Sequence, residues 1–187
     1  MADKFFPDIM VDIETTGLCP DRNAMIQLSA VRFDLANRDV GTDHFNRCLK
    51  IAPHRFWDEG TWEWWSEGAK YEVLKGIYTR MEDPRAVVED FVQWVGPQAR
   101  WWSKPSHFDF PFVASYCRDY GLHMPFDFRQ ANDMRSFMRG RTWPKQPVEP
   151  RLEFRGDAHN AVMDCIHQIA TLFEFCDRLE SKEDEQD

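Results

Sequence analysis

Two carboxylates lie two residues apart in an otherwise apolar run near the start of the chain. Asp12 and Glu14 close this run and are followed by Thr15-Thr16-Gly17. Residues i and i+2 of a β-strand point to the same face, so both acids would leave the sheet together at the carboxyl end of the strand. Buried carboxylates need a partner, and hard divalent ions such as Mg²⁺ bind carboxylate oxygens. The pattern therefore predicts a metal site, with a pair of solvated acids on an edge strand as the alternative.

Two later segments supply further acids and a histidine. Asp109 lies in the aromatic-rich stretch 101–112, at a predicted junction between a strand and a helix, and His159 precedes Asp164 by five residues. Five residues on a helix turn by about 500°, so the two side chains would diverge by about 140° if both were helical. We therefore expect His159 to lie just before the last helix, an arrangement that Gly156-Asp157 favours.

The strands that would position these residues follow from hydrophobic patterning. Strands are predicted at residues 8–14, 25–34 and 43–51, and a shorter one near 99–103. The first three suit an antiparallel meander. Because helical segments follow them, the fold class is α/β.

Three helices have clear sequence signals. Asp83-Pro84 predicts an N-cap with proline in the first turn, and Gly121 predicts the end of a helix that passes through residues 112–120. In the last segment the apolar residues recur at helical spacing and Asp164 falls off their stripe. The stripe comprises Val162, Cys165, Ile166, Ile169, Phe173 and Cys176.

Length and composition indicate one domain. The chain has 187 residues, of which 43% are hydrophobic and 14% aromatic, which is ample for a single core. We expect a domain over residues 1–179 and an acidic, disordered tail over residues 180–187. The proline- and arginine-rich stretch 140–150 is predicted to be a flexible connection and not a domain boundary.

Cysteine usage and the N-terminus predict a cytoplasmic protein. Five cysteines, an odd number, occur without a Cys-x-x-Cys pair, which indicates neither a zinc site nor a disulfide framework. The N-terminus lacks the basic flank and long apolar stretch of a signal peptide, and no stretch approaches the roughly 18 apolar residues of a membrane span.

Three motifs together resemble those of the DEDDh family, the DnaQ-like 3′-5′ exonucleases. They are residues 12–17, Phe108-Asp109 and the His159-x-Ala161-x-x-Asp164 pattern, and they occur in the family order. The segment 61–65 and Trp102 resemble a narrower branch of phage DexA-type and bacterial RNase AS-like exonucleases. The resemblance implies an RNase H-like fold, with a central mixed sheet flanked by helices.

The resemblance also implies a mechanism and a set of roles. It implies hydrolysis of a phosphodiester with two Mg²⁺ or Mn²⁺ ions about 3.5–4 Å apart. Asp12 would bridge both ions, Glu14 and Asp164 would complete one site, and Asp109 would reach the second ion through water. His159 would be the general base, because imidazole titrates near neutral pH. The alternative for His159 is a structural histidine that bonds to the backbone.

Further residues are candidates for substrate binding. The backbone after the first strand could contact the terminal sugar, Leu18 could wedge against a base, and Glu63 or Trp64 could face the substrate while Trp62 and Trp65 pack inward. Lys104 occupies a stretch where relatives often have Gly-Asn-Gly, so it is either a phosphate contact or a solvated charge. The full candidate set is Thr15, Thr16, Gly17, Leu18, Glu63, Trp64, Lys104 and Phe108. Asp133 and Arg135 are expected to form a supporting ion pair.

The net charge of −9 argues on its face against a nucleic-acid partner, because affinity for phosphate comes from clustered Lys and Arg. Four acids would be offset by two cations, and the tail holds five more. A basic stretch, comprising Arg135, Arg139, Arg141, Lys145, Arg151 and Arg155, could steer a strand or form a solvated face. We therefore expect 3′ ends of single-stranded nucleic acid to be the substrate, with DNA slightly ahead of RNA.

Three alternatives stay open. An exoribonuclease of the RNase AS type differs only in its sugar preference. A non-catalytic binding module would keep the fold, although intact acids argue against it. A hydrolase of a small phosphodiester would use the same site chemistry. A homodimer is compatible with each of them.

Overall fold

The structure is a computed structural model that describes residues 5–96, 99–154 and 159–184. Six strands form one mixed sheet in the order β4-β3-β2-β1-β5-β6. The strands are β1 (Asp8–Thr15), β2 (Met25–Asp34), β3 (Asp39–Leu49), β4 (Met81–Glu82), β5 (Arg100–Ser103) and β6 (Ala131–Asp133). The helices are α1 (Glu59–Trp65), α2 (Gly68–Tyr78), α3 (Pro84–Val95), α4 (Ser106–Tyr120), α5 (Met134–Thr142) and α6 (Ala161–Asp184).

The predicted antiparallel meander is present. Strand β2 pairs antiparallel with both β1 and β3, whereas β5 pairs parallel with β1. The observed β2 has the predicted bounds, and β3 begins four residues earlier than predicted. Because β1 and β5 are parallel, their carboxyl ends meet at one edge of the sheet, where site residues of both can converge.

Side-chain alternation along β1 divides the core into two layers. Ile9, Val11 and Ile13 belong to the layer that contains α3 and α4, whereas Met10 packs in the layer that contains α5 and α6. Asp12 and Glu14 continue the Met10 face, because they follow it at intervals of two residues. The acids therefore project toward α6.

The ends of α3 and α4 agree with the sequence signals. The Asp83 side chain accepts a hydrogen bond from the Ala86 backbone N–H at 3.0 Å, and Pro84 is the first residue of α3. Gly121 follows α4 with φ of 68°, a left-handed conformation that glycine adopts at little cost.

The buried stripe of α6 differs in part from the predicted one. Val162, Cys165 and Ile169 are buried as predicted, and the stripe continues through Leu172 and Phe175. Ile166 is 45% exposed, so its predicted place in the stripe is wrong. It lies about 100° around the helix from the buried Cys165, which turns it toward solvent.

Helix α6 also extends into the segment that was expected to be a disordered tail, because its last helical residue is Asp184. An ion pair between Arg38 and Glu180 attaches this end of the helix to the β2–β3 turn. The Ser181 hydroxyl also donates a hydrogen bond to the Asp177 carbonyl at 2.8 Å. Across the part of the chain that the structure describes, no helix has the length and apolarity that a membrane span requires.

Candidate active site

Three carboxylates from two elements converge at the carboxyl end of β1. Asp12 and Glu14 come from β1, and Asp164 comes from the first turn of α6. One carboxylate oxygen of each lies within 4.8 Å of the other two. Such a group of three is close enough to share a divalent cation.

Asp109 approaches this group from the other layer. It lies in the first turn of α4, which follows β5, and it is only 3% exposed. Burial raises the pKa of Asp109 to about 8, although hydrogen bonds from the backbones of Asp109 and Ile13 favour the ionised form. Its charge in turn contributes to the raised pKa values of Asp12 and Glu14.

Burial opposes the ionisation of all four acids, and neighbouring carboxylates further oppose that of Asp12 and Glu14. Burial is the largest cause that raises the pKa values of Asp12 and Glu14 well above the ordinary range, and the neighbouring carboxylates raise them further. Burial also raises the pKa of Asp164 to about 6. Like charges in a desolvated cluster cannot all ionise without a compensating cation.

Gln168 belongs to the site, although the sequence analysis did not identify it. Its Nε2 donates a hydrogen bond to Asp12 Oδ1 at 2.8 Å. Its buried Oε1 has no hydrogen-bond partner among the described residues. Gln168 follows Asp164 by four residues, so the helical period places both on one face, and this spacing is the signal that could have identified it.

His159 lies before α6, as the spacing argument predicted. It has φ of 64°, and helical structure begins two residues later at Ala161. Its backbone forms a hydrogen bond with the Asp164 carboxylate. Gly156 and Asp157, which were expected to favour this arrangement, fall outside the described residues.

Two tryptophans of α1 enclose the His159 ring. The ring centroids of Trp64 and His159 are 4.8 Å apart in a T-shaped arrangement, and Trp65 lies 6.4 Å away. Lys70 stacks on Trp64, with its Nζ 4.3 Å from the ring centroid. Burial, and then the positive charge of Lys70, hold the pKa of His159 below its ordinary value of 6.5.

The predicted orientation of the tryptophans is correct for two of three residues. Trp65 is buried and donates a hydrogen bond from Nε1 to the Thr15 carbonyl at 3.1 Å, and Trp64 is 39% exposed at the site. Trp62 does not pack inward, because it is 44% exposed and lies against Trp57 with ring centroids 5.1 Å apart.

A cavity of about 510 Å³ opens beside the acids. Glu14 forms part of its wall, so the cavity and the carboxylate cluster are continuous. Glu63 and Lys104 are not among its lining residues, which are Ile13, Glu14, Thr15, Leu18, Asp58, Gly60, Thr61, Trp64, Trp65 and Phe108. This size and mixed lining suit a small organic group such as a nucleotide.

Thr16 and Gly17 lie behind the cavity and shape the loop that carries Leu18. The Thr16 hydroxyl donates to the Phe56 carbonyl at 2.9 Å and accepts from the Ala24 N–H at 2.7 Å. Asn23 accepts from the Cys19 N–H at 2.9 Å through its Oδ1. The loop presents Leu18 with 77% of its surface exposed.

We expect Gly17→Ala to disrupt this loop. A Cβ at residue 17 would lie 2.3 Å from Asn23 Cγ. Moving the Asn23 side chain would break its hydrogen bonds with the Cys19 N–H and the Phe56 carbonyl. Overpacking of this kind costs about 1–3 kcal/mol of unfolding free energy. Chemical denaturation measures the loss, and Gly76→Ala in α2 is the control, because nothing lies within 4 Å of its added Cβ. That control should instead gain about 0.5–1 kcal/mol, and equal effects at both positions would contradict the packing argument.

Lys104 and Asp133 have partners that differ from those expected. Lys104 forms an ion pair with Glu149, which attaches the connection after α5 to the junction before α4. Asp133 accepts hydrogen bonds from the backbone N–H groups of Ser106 at 2.8 Å and Ser136 at 2.7 Å. The predicted ion pair with Arg135 is wrong, because Asp133 instead binds the N-termini of α4 and α5. Asp133 thus fixes the helix end that carries Asp109.

Comparisons with known proteins agree with this architecture. A family model described as the 3′-5′ exoribonuclease Rv2179c-like domain matches residues 7–176. No curated protein sequence is significantly similar to the chain.

Solved structures share the fold at low sequence identity. E. coli exonuclease I in complex with a dT13 oligonucleotide has a TM-score of 0.71 and 18% identity, over 95% of this chain and 42% of that chain. Cell-death related nuclease 4 has a TM-score of 0.66 and 19% identity, over 92% of this chain and 64% of that chain. A zinc-bound complex of E. coli exonuclease I with single-stranded DNA has a TM-score of 0.67 and 17% identity, over 89% of this chain and 39% of that chain. The chain therefore spans less than two thirds of the length of each.

Proposed function

Because the chain belongs to the Rv2179c-like family of 3′-5′ exoribonucleases, we propose that it removes nucleotides from the 3′ ends of single-stranded nucleic acid by hydrolysis. One observation carries this proposal: Asp12, Glu14 and Asp164 converge beside a cavity of nucleotide size, with Asp109 close enough to affect their ionisation and His159 against a tryptophan of the cavity wall. Each motif is short, but random agreement of spacing would not also bring their side chains together. The RNase H-like fold expected from the motifs agrees with the solved structures.

The acid cluster fits a divalent cation. Burial raises the pKa values of all four carboxylates, and neighbouring carboxylates raise those of Asp12 and Glu14 further, so the cluster favours a bound positive charge. The unpartnered Gln168 Oε1 offers an acceptor to the waters of a hydrated ion. We propose Asp12, Glu14, Asp109 and Asp164 as the ligands of Mg²⁺ or Mn²⁺. Two such ions would activate the attacking water and stabilise the leaving oxygen.

His159 would remove the proton from the attacking water. Its lowered pKa keeps the imidazole neutral near pH 7, which a base requires. Trp64 and Trp65 restrict the motion of its ring and exclude water from one side. The backbone bond to Asp164 keeps the base beside the acids.

The cavity would hold the terminal nucleotide. Phe108 and Trp64 offer aromatic surfaces for its base, and stacking contributes about 1–3 kcal/mol per base without sequence preference. The exposed Leu18 could separate this base from the next one. The backbone at Thr15, which lines the cavity, would contact the sugar, whereas Thr16 and Gly17 would support this part of the loop from behind.

RNA is the first candidate substrate, because the matching family is named for exoribonucleases. Single-stranded DNA, which the sequence analysis slightly preferred, is the second candidate, because exonuclease I has this fold in complex with dT13. The difference between the two polymers is the 2′-hydroxyl, which an RNA enzyme can bind.

The test is degradation of matched 5′-labelled RNA and DNA single strands with Mg²⁺ or Mn²⁺, with EDTA as a control. The proposal predicts a metal-dependent ladder that shortens from the 3′ end. A 3′-phosphorylated strand should resist, since the loop would bind a free 3′-hydroxyl. Cleavage within the labelled strand, or no cleavage of either polymer, would contradict the proposal and favour a small phosphodiester substrate.

The metal site predicts a pH-dependent stabilisation. Asp109 and Asp164 have folded-state pKa values raised to about 8 and about 6, so without metal their contribution to stability is complete only below about pH 4 and is lost as pH rises through these values. The melting temperature of the metal-free protein should therefore fall from pH 5 to pH 8.

Divalent metal should reverse this loss. At 100 times its dissociation constant it would add about 2.7 kcal/mol, or roughly 5–11 °C, at pH 8. The increment at pH 5 should be smaller, because protonated carboxyls bind cations weakly. Differential scanning fluorimetry with Mn²⁺ measures the stabilisation at pH 5 and at pH 8, and K⁺ at matched ionic strength is the control. A rise in melting temperature with Mn²⁺ that is equal at pH 5 and pH 8 would argue against metal binding by these acids.

A further inference from the structure

Gln27 is a fully buried polar residue directly beneath the site. It lies on β2 opposite Glu14 of β1, and none of its surface is exposed. Directly opposed residues of antiparallel strands project to the same face, so the Gln27 carboxamide lies beside Glu14 and under the start of α6. Gln27 is not among the proposed metal ligands, the proposed base or the proposed substrate contacts.

The Gln27 carboxamide links three elements. Its Nε2 donates to Asn46 Oδ1 of β3 at 2.8 Å and to Asn160 Oδ1 at 3.4 Å. Its Oε1 accepts from the Ala161 backbone N–H at 3.4 Å. It thereby pairs one of the N–H groups that the first turn of a helix leaves without an intrahelical acceptor.

The Ala161 backbone N–H fixes the orientation of this amide. A backbone N–H can only donate, so the Gln27 oxygen faces Ala161 and the Gln27 NH₂ faces the Asn46 and Asn160 oxygens. A flipped Gln27 would place its oxygen against two acceptor oxygens and its NH₂ against a donor. The observed orientation satisfies every partner, which makes the amide a directional link and not only a space-filling group.

Asn160 connects this link to the reacting groups. It lies between His159 and Asp164, and its carbonyl accepts from the backbone N–H groups of Met163 at 2.8 Å and Asp164 at 3.0 Å. A shift of Asn160 would therefore move the base and one acid together relative to Glu14. Displacements of about 1 Å at such a site can cost about 100-fold in rate.

We propose that Gln27 is a positioning residue, whose bonds to Asn160 and Ala161 hold His159 and Asp164 in place over Glu14. This inference rests on the proposed function for its kinetic consequence, but its structural consequence stands without it. Gln27 touches neither substrate nor metal and acts through the first turn of α6.

The test compares Gln27→Met with Arg38→Met. Methionine has a similar length but cannot form the three bonds, whereas Arg38 binds Asp177 and Glu180 at the opposite end of α6. We expect Gln27→Met to lower kcat by about 10–100-fold with KM changed less than about twofold. Arg38→Met should lower the melting temperature and leave kcat and KM unchanged.

A second readout does not depend on activity. The His159 ring lies 4.8 Å from Trp64, so the ring current of Trp64 shifts its proton signals. NMR should show that shift reduced in Gln27→Met and retained in Arg38→Met. Asn160→Ala, which removes a partner and leaves the buried Gln27, provides the same test if Gln27→Met does not fold. The kcat losses of Gln27→Met and Asn160→Ala should not multiply in the double variant, because both break the same contact.

The outcomes separate the two proposals. If the wild type degrades no nucleic acid, the proposed function fails, and the His159 signal alone decides the role of Gln27. If the wild type is active and Gln27→Met has kcat within about twofold of it, the positioning role is overturned. An unmoved His159 signal overturns it in either case.

Discussion

The Asp12→Asn variant should lose at least about 10³-fold in kcat and, without metal, should be more stable than the wild type. Asp12 lies at the centre of the cluster: burial raises its pKa most, Asp109 and Asp164 raise it further, and Gln168 donates a hydrogen bond to it. Loss of a ligand removes several kcal/mol of transition-state stabilisation, and each 1.36 kcal/mol is a tenfold change in rate. Asparagine keeps the shape and an acceptor for Gln168 but carries no charge.

The gain in metal-free stability follows from the repulsion between the site carboxylates, which Asp12→Asn relieves. Two carboxylates about 4–5 Å apart repel by roughly 3–4 kcal/mol at an effective dielectric of 20, and partial protonation reduces this. Because the folded-state pKa of Asp12 is raised, its unfavourable contribution grows as pH rises. We therefore expect Asp12→Asn to melt at least about 2–4 °C higher than the wild type at pH 8 in EDTA, with a smaller gain at pH 5.

Melting temperatures and kcat values of the wild type and two variants test this prediction. Asp90→Asn is the matched control, because Asp90 is an exposed acid of α3 paired with Arg47 and remote from the site. It should change neither kcat nor the stabilisation by Mn²⁺. An Asp12→Asn protein that is less stable in EDTA would mean that the acids are compensated within the protein and do not require a cation.

The sequence predicted the parts of this site that local patterns encode. Strand β2 alternates apolar and polar residue types over residues 26–30 and has the predicted bounds. His159 lies before α6, as its five-residue distance from Asp164 predicted. Strands β4 and β6 have two and three residues, which is too short for any periodicity to be seen. They were therefore not predicted.

The supporting contacts were not predictable for a different reason. Gln168 bonds to Asp12 across 156 residues, and Gln27 bonds to Asn160 across 133 residues. The spacing of four residues from Asp164 could have placed Gln168 on the site face of α6, but it does not reveal the partner, and Gln27 has no such spacing. The partner of each glutamine depends on which side chain tertiary packing brings to it. The ion pair expected between Asp133 and Arg135 failed likewise, because two helix N-termini compete for the same carboxylate. The acids that converge and the histidine beside them were predicted from the sequence, whereas the contacts that orient them required the fold.

The acidic net charge is compatible with a nucleic-acid substrate once its distribution is considered. Three of the acids are gathered where cations are proposed to bind, and Asp109 is near enough to raise the pKa values of two of them. Several others lie in ion pairs with nearby arginines, such as Glu82 with Arg47. The surface beside the cavity also carries Lys70, stacked on Trp64. Local charge at the site, and not the net charge, governs the approach of a strand at physiological salt, because screening acts within about 8 Å.

His159→Ala should lower kcat by about 10²–10⁴-fold with little change in KM. It should also remove the part of the fall in kcat at acid pH that is due to protonation of the imidazole. A general base contributes an effect of this size, and it acts only when deprotonated. Burial and Lys70 both lower the pKa of His159, so wild-type kcat at saturating metal should rise with pH along a limb centred below 6.5.

The pH dependence distinguishes a base from a structural histidine. In a structural role, the loss of His159 would lower stability and kcat at every pH and would leave the limb in place. In the proposed role, only the limb due to the base disappears, and any remaining acid dependence reflects the carboxylates, of which Asp164 has a pKa of about 6. The exposed His123 provides the matched control, His123→Ala, which should reproduce the wild-type profile. A His159→Ala enzyme that keeps both its rate above pH 7 and its acid limb would remove His159 from the chemistry and leave the carboxylates to activate the water alone.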